Sequence, residues 1–181
     1  MNAVRLVLVS TLALLLSTVN AEEETGADPT RADPTGADPA GADAAEAELH
    51  ALIQKNPGCG CCDIWADHLR EHGFKVEVTE NPDIYDLKEQ TGIPTSLYSC
   101  HTAQVDGYFI EGHVPAKDIL ALLRLKPQNI KGLAVPGMPR GSPGMEHPQP
   151  QSFDTIAVGV DGTTHVFASH EAGEDFSAAD D

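Results

Sequence analysis

Basic charge is what this chain has least of. Eleven lysines and arginines stand against 28 aspartates and glutamates, a formal net charge of −17 over 181 residues. No stretch supplies the basic footprint that phosphate binding needs, so nucleic acid is excluded as a partner. Long apolar runs are also missing beyond the first 21 residues, which leaves no candidate for an integral membrane segment in the mature chain. Aromatic residues are absent from residues 22–48, where nine acidic groups face the single Arg31 in a loose ADPTR ADPTG ADPAG repeat. Nothing there repays the entropy of ordering a backbone, so this segment is expected to be a disordered acidic tether. Residues 171–181, with five more acidic groups, are expected to be a disordered tail.

The chain opens MNAVRLVLVSTLALLLSTVNA, with Arg5 in a short n-region, an apolar core over residues 6–16, and Val19-Asn20-Ala21 at the cleavage-determining positions. This pattern predicts a signal peptide removed after Ala21 and a mature protein in the periplasm. No cysteine stands at the cleavage point, which argues against a lipoprotein anchor.

Residues 49–170 are left for one domain with a single core. The pattern predicts a strand over residues 49–54 and a helix over 61–72 whose inward stripe is Ile64, Trp65, His68 and Leu69. A second strand is expected over 74–78 and a helix over 83–90 that Gly92 closes. Residues 95–99 and 105–111 read as a hairpin, and Pro115 opens the helix AKDILALLRL. After a long irregular segment, 153–160 and 165–168 flank the turn Asp161-Gly162, a hairpin signal. The order β-α-β-α-β-β-α is a thioredoxin-like α/β arrangement: a central mixed sheet, flanking helices and an added C-terminal hairpin.

Cysteines are few, and three of the four sit together. Cys59, Cys61 and Cys62 lie at the mouth of the first helix, with Cys100 far along the chain. Free backbone N–H groups and the helix dipole favour thiolate there, for redox chemistry or for metal. In an exported protein four cysteines also suit two disulfides, with Cys59 or Cys62 pairing with Cys100. The C-x-x-C spacing of Cys59 and Cys62 suits a thiol–disulfide oxidoreductase, although the thiol between them invites unproductive exchange. Haem attachment fails because Asp63, not histidine, follows Cys62. Adjacent Cys61 and Cys62 are too close to share one tetrahedral zinc well, and they are better placed to bridge neighbouring ions. Met138, Met145 and His147 follow in a glycine- and proline-rich run, with His101 and His113 at strand ends. Thioether, thiolate and imidazole together form the ligand set that selects Cu(I).

The runs CGCCDIWADHLREHGF, GIPTSLYSCHTAQVDGYFIEGHVPAKDILALL and KGLAVPGMPRGSPGMEH resemble an exported bacterial family that includes CopG-like copper-resistance proteins, over about residues 50–168. The three blocks occur in order, which makes the resemblance far more specific than the C-x-C-C alone. It implies a thioredoxin-like fold whose cysteines hold several Cu(I) ions in a thiolate-bridged cluster, serving copper tolerance in the cell envelope. Carried onto this chain, the implied ligands are Cys59, Cys61, Cys62, Cys100, His101, His113, Met138 and Met145, with His147 extending the last block. The implied partners are metal ions and other copper-handling proteins of the envelope. Two mechanisms fit, sequestration or transfer of Cu(I) and redox cycling of the cluster; no substrate pocket or acid–base pair is evident in the sequence.

Overall fold

A computed structural model describes residues 48–177. The expected signal peptide, all but the last residue of the tether, and the final four residues of the acidic tail lie outside the described residues. Alternating apolar residues build β1 (Leu49–Lys55) and β2 (Phe74–Glu80), which pair in parallel across the helix α1 (Gly60–Glu71). Next come α2 (Ile84–Thr91), the hairpin β3 (His101–Val105) and β4 (Tyr108–Glu111), and α3 (Ala116–Leu125). β5 (Ile130–Ala134), β6 (Phe153–Gly159) and β7 (Thr164–His170) complete one seven-stranded mixed sheet in the order β2-β1-β3-β4-β5-β6-β7. The fold is thioredoxin-like, with β6 and β7 as the expected C-terminal hairpin.

Ile53, Trp65, Leu69, Ile110, Ile119, Leu122 and Leu133 are all but sealed from solvent in one core cluster. Burying each such side chain stabilises the fold by roughly 1.5–3 kcal/mol. Trp65 also satisfies its indole N–H, which donates to the Val114 carbonyl at 2.9 Å. His68 is structural, as expected: its Nε2 accepts the backbone N–H of Ala116 at 3.0 Å and so caps the start of α3.

Three local expectations differ from the structure. The first hairpin is shifted, because residues 95–97 form a 3-10 turn and the strands are β3 and β4. Its turn is Asp106-Gly107, with φ of 45° and 84°, the doubly left-handed pair that a two-residue hairpin requires. Ile64 faces outward, 52% exposed, while Cys62 and Ala66 join the buried stripe. β5 falls inside the segment read as irregular; its Gly132 lies so close to Phe109 of β4 that a Cβ would collide with that residue's carbonyl.

Side-chain contacts continue past His170 into the acidic tail. His170 Nε2 lies 2.8 Å from Asp118 Oδ2 and its Nδ1 lies 3.1 Å from Glu174 Oε2, while Phe176 packs on the same imidazole. Burial alone would push this imidazole toward neutrality, but the hydrogen bond and charge of Asp118, joined by Glu174, outweigh it and hold the pKa above its ordinary value. Only the doubly protonated ring donates to both carboxylates. The contribution is therefore complete below the unfolded histidine pKa and is lost as pH rises through the folded one. Hydrogen exchange at residues 171–177 is expected to be slower at pH 6 than at pH 9, beyond the intrinsic pH effect, and His170→Gln should remove that difference.

Candidate metal centre

The cysteine cluster is placed by the turn between β1 and α1. Cys59 is the N-cap of α1, in extended backbone. Lys55 at the end of β1 clamps this turn, with Nζ donating to the Cys59 carbonyl at 3.2 Å and to Asp63 Oδ2 at 2.8 Å. The same turn is stitched to the start of β3, since Asn56 N–H donates to the Cys100 carbonyl at 2.9 Å and Cys59 N–H donates to the Asn56 carbonyl at 3.2 Å.

The Sγ atoms of Cys59, Cys61 and Cys62 all lie within 4.8 Å of one another. Among the described residues this is the one set of three or more cysteine, histidine or carboxylate donors close enough to share an ion. Cys59 and Cys62 are joined as a disulfide, while Cys61 and Cys100 are free thiols. Cys61 Sγ is 3.6 Å from Cys59 Sγ. Burial raises the Cys61 pKa, and the nearby Cys100 adds to the effect. Cys100 Sγ in turn lies 3.8 Å from Met138 Sδ, beside a shallow groove also lined by Tyr85 and Tyr98.

His101 and His113 form a buried pair packed against Trp65 of α1. Both are fully buried, with ring centroids 5.1 Å apart, and Trp65 packs on His101 at 4.4 Å. His101 Nε2 lies 3.0 Å from the Gly112 carbonyl, and His113 Nδ1 lies 2.8 Å from the Pro143 carbonyl. A carbonyl only accepts, so each of these nitrogens carries the proton and the opposite nitrogen is a bare lone pair. Those opposite atoms, His101 Nδ1 and His113 Nε2, are buried without a hydrogen-bond partner. Burial pushes both imidazoles away from the charged form, with His113 and Lys88 adding to the effect at His101. Neutral imidazoles with one nitrogen fixed by a carbonyl and the other open are the form in which histidine ligates metal.

The glycine- and proline-rich run packs over the first turn of α1 and against His113. Gly144 has φ +81°, and a Cβ there would stand 2.9 Å from both the Cys61 carbonyl and the Trp65 nitrogen, and 3.3 Å from His113 Nδ1. Only glycine lets the loop seat against the first turn of α1. A backbone bond from Gly141 N–H to the Met145 carbonyl at 2.7 Å closes the loop, with Met145 half-buried. Met138 is 49% exposed, and His147 stands outside with Nδ1 accepting from Gln149 N–H at 3.0 Å.

The structure thus groups Cys59, Cys61 and Cys62, brings Cys100 to Met138, and brings His101 to His113. Met145 and His147 share the covering loop with Met138. A cleft of about 380 Å³ is lined by Asp67, Glu71, Glu146 and residues 174–177 of the tail and by none of the cysteines. Sequence reasoning missed Lys55, Gly144 and the buried pair Lys88–Glu111; of these only Gly144, in a GSPGM run, carried a visible signal.

Comparison with known proteins finds relatives of this chain. Residues 97–145 match the family described as "Protein of unknown function, DUF411". No curated protein matches the chain. A solved structure titled "Copper resistance protein copG- Form 2" is 40% identical, with a TM-score of 0.65, the match covering 68% of this chain and 98% of that one. The chain belongs to the CopG copper-resistance family. A second CopG structure, "Form 1", matches at 40% identity and a TM-score of 0.66, over 69% of this chain and 99% of its own. The block at 97–145 holds Cys100, His101, His113, Met138 and Met145 of this CopG-family chain, while Cys59, Cys61 and Cys62 lie outside it. Among the described residues, no helix is long and apolar enough to cross a membrane.

Proposed function

We propose that this chain is an exported Cu(I)-handling protein of the periplasm, which holds several ions through Cys59, Cys61, Cys62 and Cys100 and serves copper resistance by sequestering or passing them. The observation that carries the reading is the pair of bare, buried lone pairs on His101 and His113 facing no protein donor. An unpartnered buried polar atom costs about 1–3 kcal/mol, a cost that a bound cation would offset. Sulfur and neutral imidazole suit Cu(I), and the thioether of Met138 beside Cys100 adds a donor that does not titrate. Met145 and His147 complete the proposed set from the covering loop.

Loading requires reduction of the Cys59–Cys62 disulfide. An external dithiol reductant supplies the two electrons and two protons and leaves as its own disulfide, and the two thiols formed release their protons as they take up metal. A single ion would use adjacent Cys61 and Cys62 poorly, so bridging is favoured. Exchange with other copper-handling proteins of the envelope would proceed at the exposed edge, where Cys100 and Met138 meet. Redox cycling of the bound ions is compatible with a sulfur-bridged site and forms the finer alternative within this reading.

A thiol–disulfide oxidoreductase is the second reading, favoured by the Cys59–Cys62 disulfide at the N-terminus of α1. Cys100→Ser separates the two, because Cys100 lies outside that disulfide. The copper reading expects the variant to keep its copper-free fold, to lose copper equivalents, and to resemble the parent in showing little turnover of a model disulfide. Unchanged copper content with robust dithiol-dependent turnover, abolished by copper, would establish the oxidoreductase instead.

A further inference from the structure

Beneath the site lies a second, fully buried constellation with a different chemistry. Lys88 Nζ from α2 contacts both carboxylate oxygens of Glu111 at the end of β4, at 2.6 and 2.7 Å, and neither side chain is exposed. Replacing such a buried pair by apolar residues of similar size is often neutral or stabilising, so stability alone does not account for it. Its hydrogen bonds give the account.

Every further side-chain hydrogen bond of the pair falls on residues 99–102, the short segment that carries Cys100. Lys88 Nζ donates to the His101 carbonyl at 3.1 Å and to Thr102 Oγ1 at 2.7 Å. Glu111 Oε1 accepts the Ser99 backbone N–H at 2.5 Å and its hydroxyl at 2.8 Å, and Oε2 accepts the Thr102 hydroxyl at 2.6 Å. Residues on both sides of Cys100 are thereby fixed, while its own carbonyl is held by Asn56 of the cysteine turn. Glu111 also leads directly into Gly112, whose carbonyl fixes the His101 ring, and then into His113.

We infer that Lys88 and Glu111 are positioning residues of the metal centre: the buried pair sets Cys100 and His101 in register with the cysteines of α1 and with His113. The inference rests on the copper-handling reading for its purpose, but the fixing of Cys100 is a property of the copper-free chain. Fixing ligands through their supports is how proteins pre-organise metal sites, and losing such a support costs about 10- to 100-fold in metal affinity.

The test is the double variant Lys88→Met with Glu111→Leu, which removes both charges together and leaves no unpaired ion. Thr102→Val, which removes a hydroxyl bonded to both members of the pair and leaves the ion pair itself intact, serves if the double variant does not fold. In reduced, copper-free protein, alkylation of Cys100 relative to Cys61, read by peptide mass spectrometry, is expected to rise about threefold or more as its segment loosens. In copper-loaded protein, Cu(I) affinity is expected to fall about 10-fold or more in the double variant. X-ray absorption should show a changed nitrogen and sulfur shell there, while thermal unfolding of the copper-free form is preserved. A merely structural pair would leave the alkylation ratio and the absorption spectrum as in the parent, and that result overturns the proposal. Should the parent itself bind no Cu(I), the copper reading fails, yet an unchanged or a raised alkylation ratio still decides the positioning claim.

Discussion

Replacing His101 and His113 together with leucine is expected to lower Cu(I) affinity by about 100-fold or more while the copper-free domain remains folded. Each substitution removes one bare, buried lone pair, His101 Nδ1 or His113 Nε2, that finds no protein partner. Leucine nearly matches the imidazole in volume, so the packing change is small. Against the copper-free fold stand the lost hydrogen bonds to the Gly112 and Pro143 carbonyls and the lost ring contact of His101 with Trp65. Relief of two unsatisfied nitrogens offsets part of this, so each site should cost no more than about 2 kcal/mol. Residues kept for structure alone would show the reverse, a collapsed domain with copper stoichiometry tracking the folded fraction. Competition titration beside thermal unfolding of the copper-free double variant separates the two outcomes.

Gly144→Ala is expected to disturb the site from the covering loop, and Gly137→Ala to serve as its control. Both glycines have positive φ, +81° and +72°, so each alanine pays about 1–2 kcal/mol for a left-handed backbone. At Gly137 a Cβ meets open space, and that is the whole cost. At Gly144 it would also press at 2.9 Å on backbone atoms of Cys61 and Trp65, neither of which belongs to a flexible side chain that can swing aside. The loop must lift, taking with it the Pro143 carbonyl that fixes the His113 ring. Gly144→Ala should therefore cost about 1–3 kcal/mol more than Gly137→Ala, as overpacking of a close contact does. It should also release Cu(I) about tenfold faster, as loss of a supporting contact does. Equal effects at the two positions would mean that the loop does not hold the centre.

Much of this architecture is legible in the sequence because its signals are local. The apolar stripe of α1, Gly92 at the end of α2 and Asp161-Gly162 between β6 and β7 each declare themselves within a few residues. The shifted hairpin is equally local, since Val105-Asp106-Gly107-Tyr108 carries a turn signal as strong as Asp161-Gly162. β5 is different: IKGLA is short and contains glycine, and it is a strand because β4 and β6 pair with it on either side. For the site, the residue types were readable but their states were not. The sequence left open which cysteines would pair, and the structure bonds Cys59 to Cys62, three residues apart. Nor could it show that His101 and His113 each spend one nitrogen on a backbone carbonyl, since those carbonyls belong to Gly112 and Pro143 and meet the rings only in the folded chain. The Lys88–Glu111 pair spans 23 positions and looks, in sequence, like two ordinary surface charges.

We expect the clustered sulfurs to form one site for several Cu(I) ions when the Cys59–Cys62 disulfide is open. An anaerobic titration of Cu(I) against a strong chromophoric competitor tests it most directly, run in parallel on the fully reduced protein and on protein with that disulfide intact. Reduced protein is predicted to take up more than one Cu(I) per chain, in preference to zinc, and oxidised protein to lose most of that capacity because two of its four sulfurs are spent on each other. One ion or none per reduced chain, tighter binding of zinc, or identical uptake by the two forms would contradict the account.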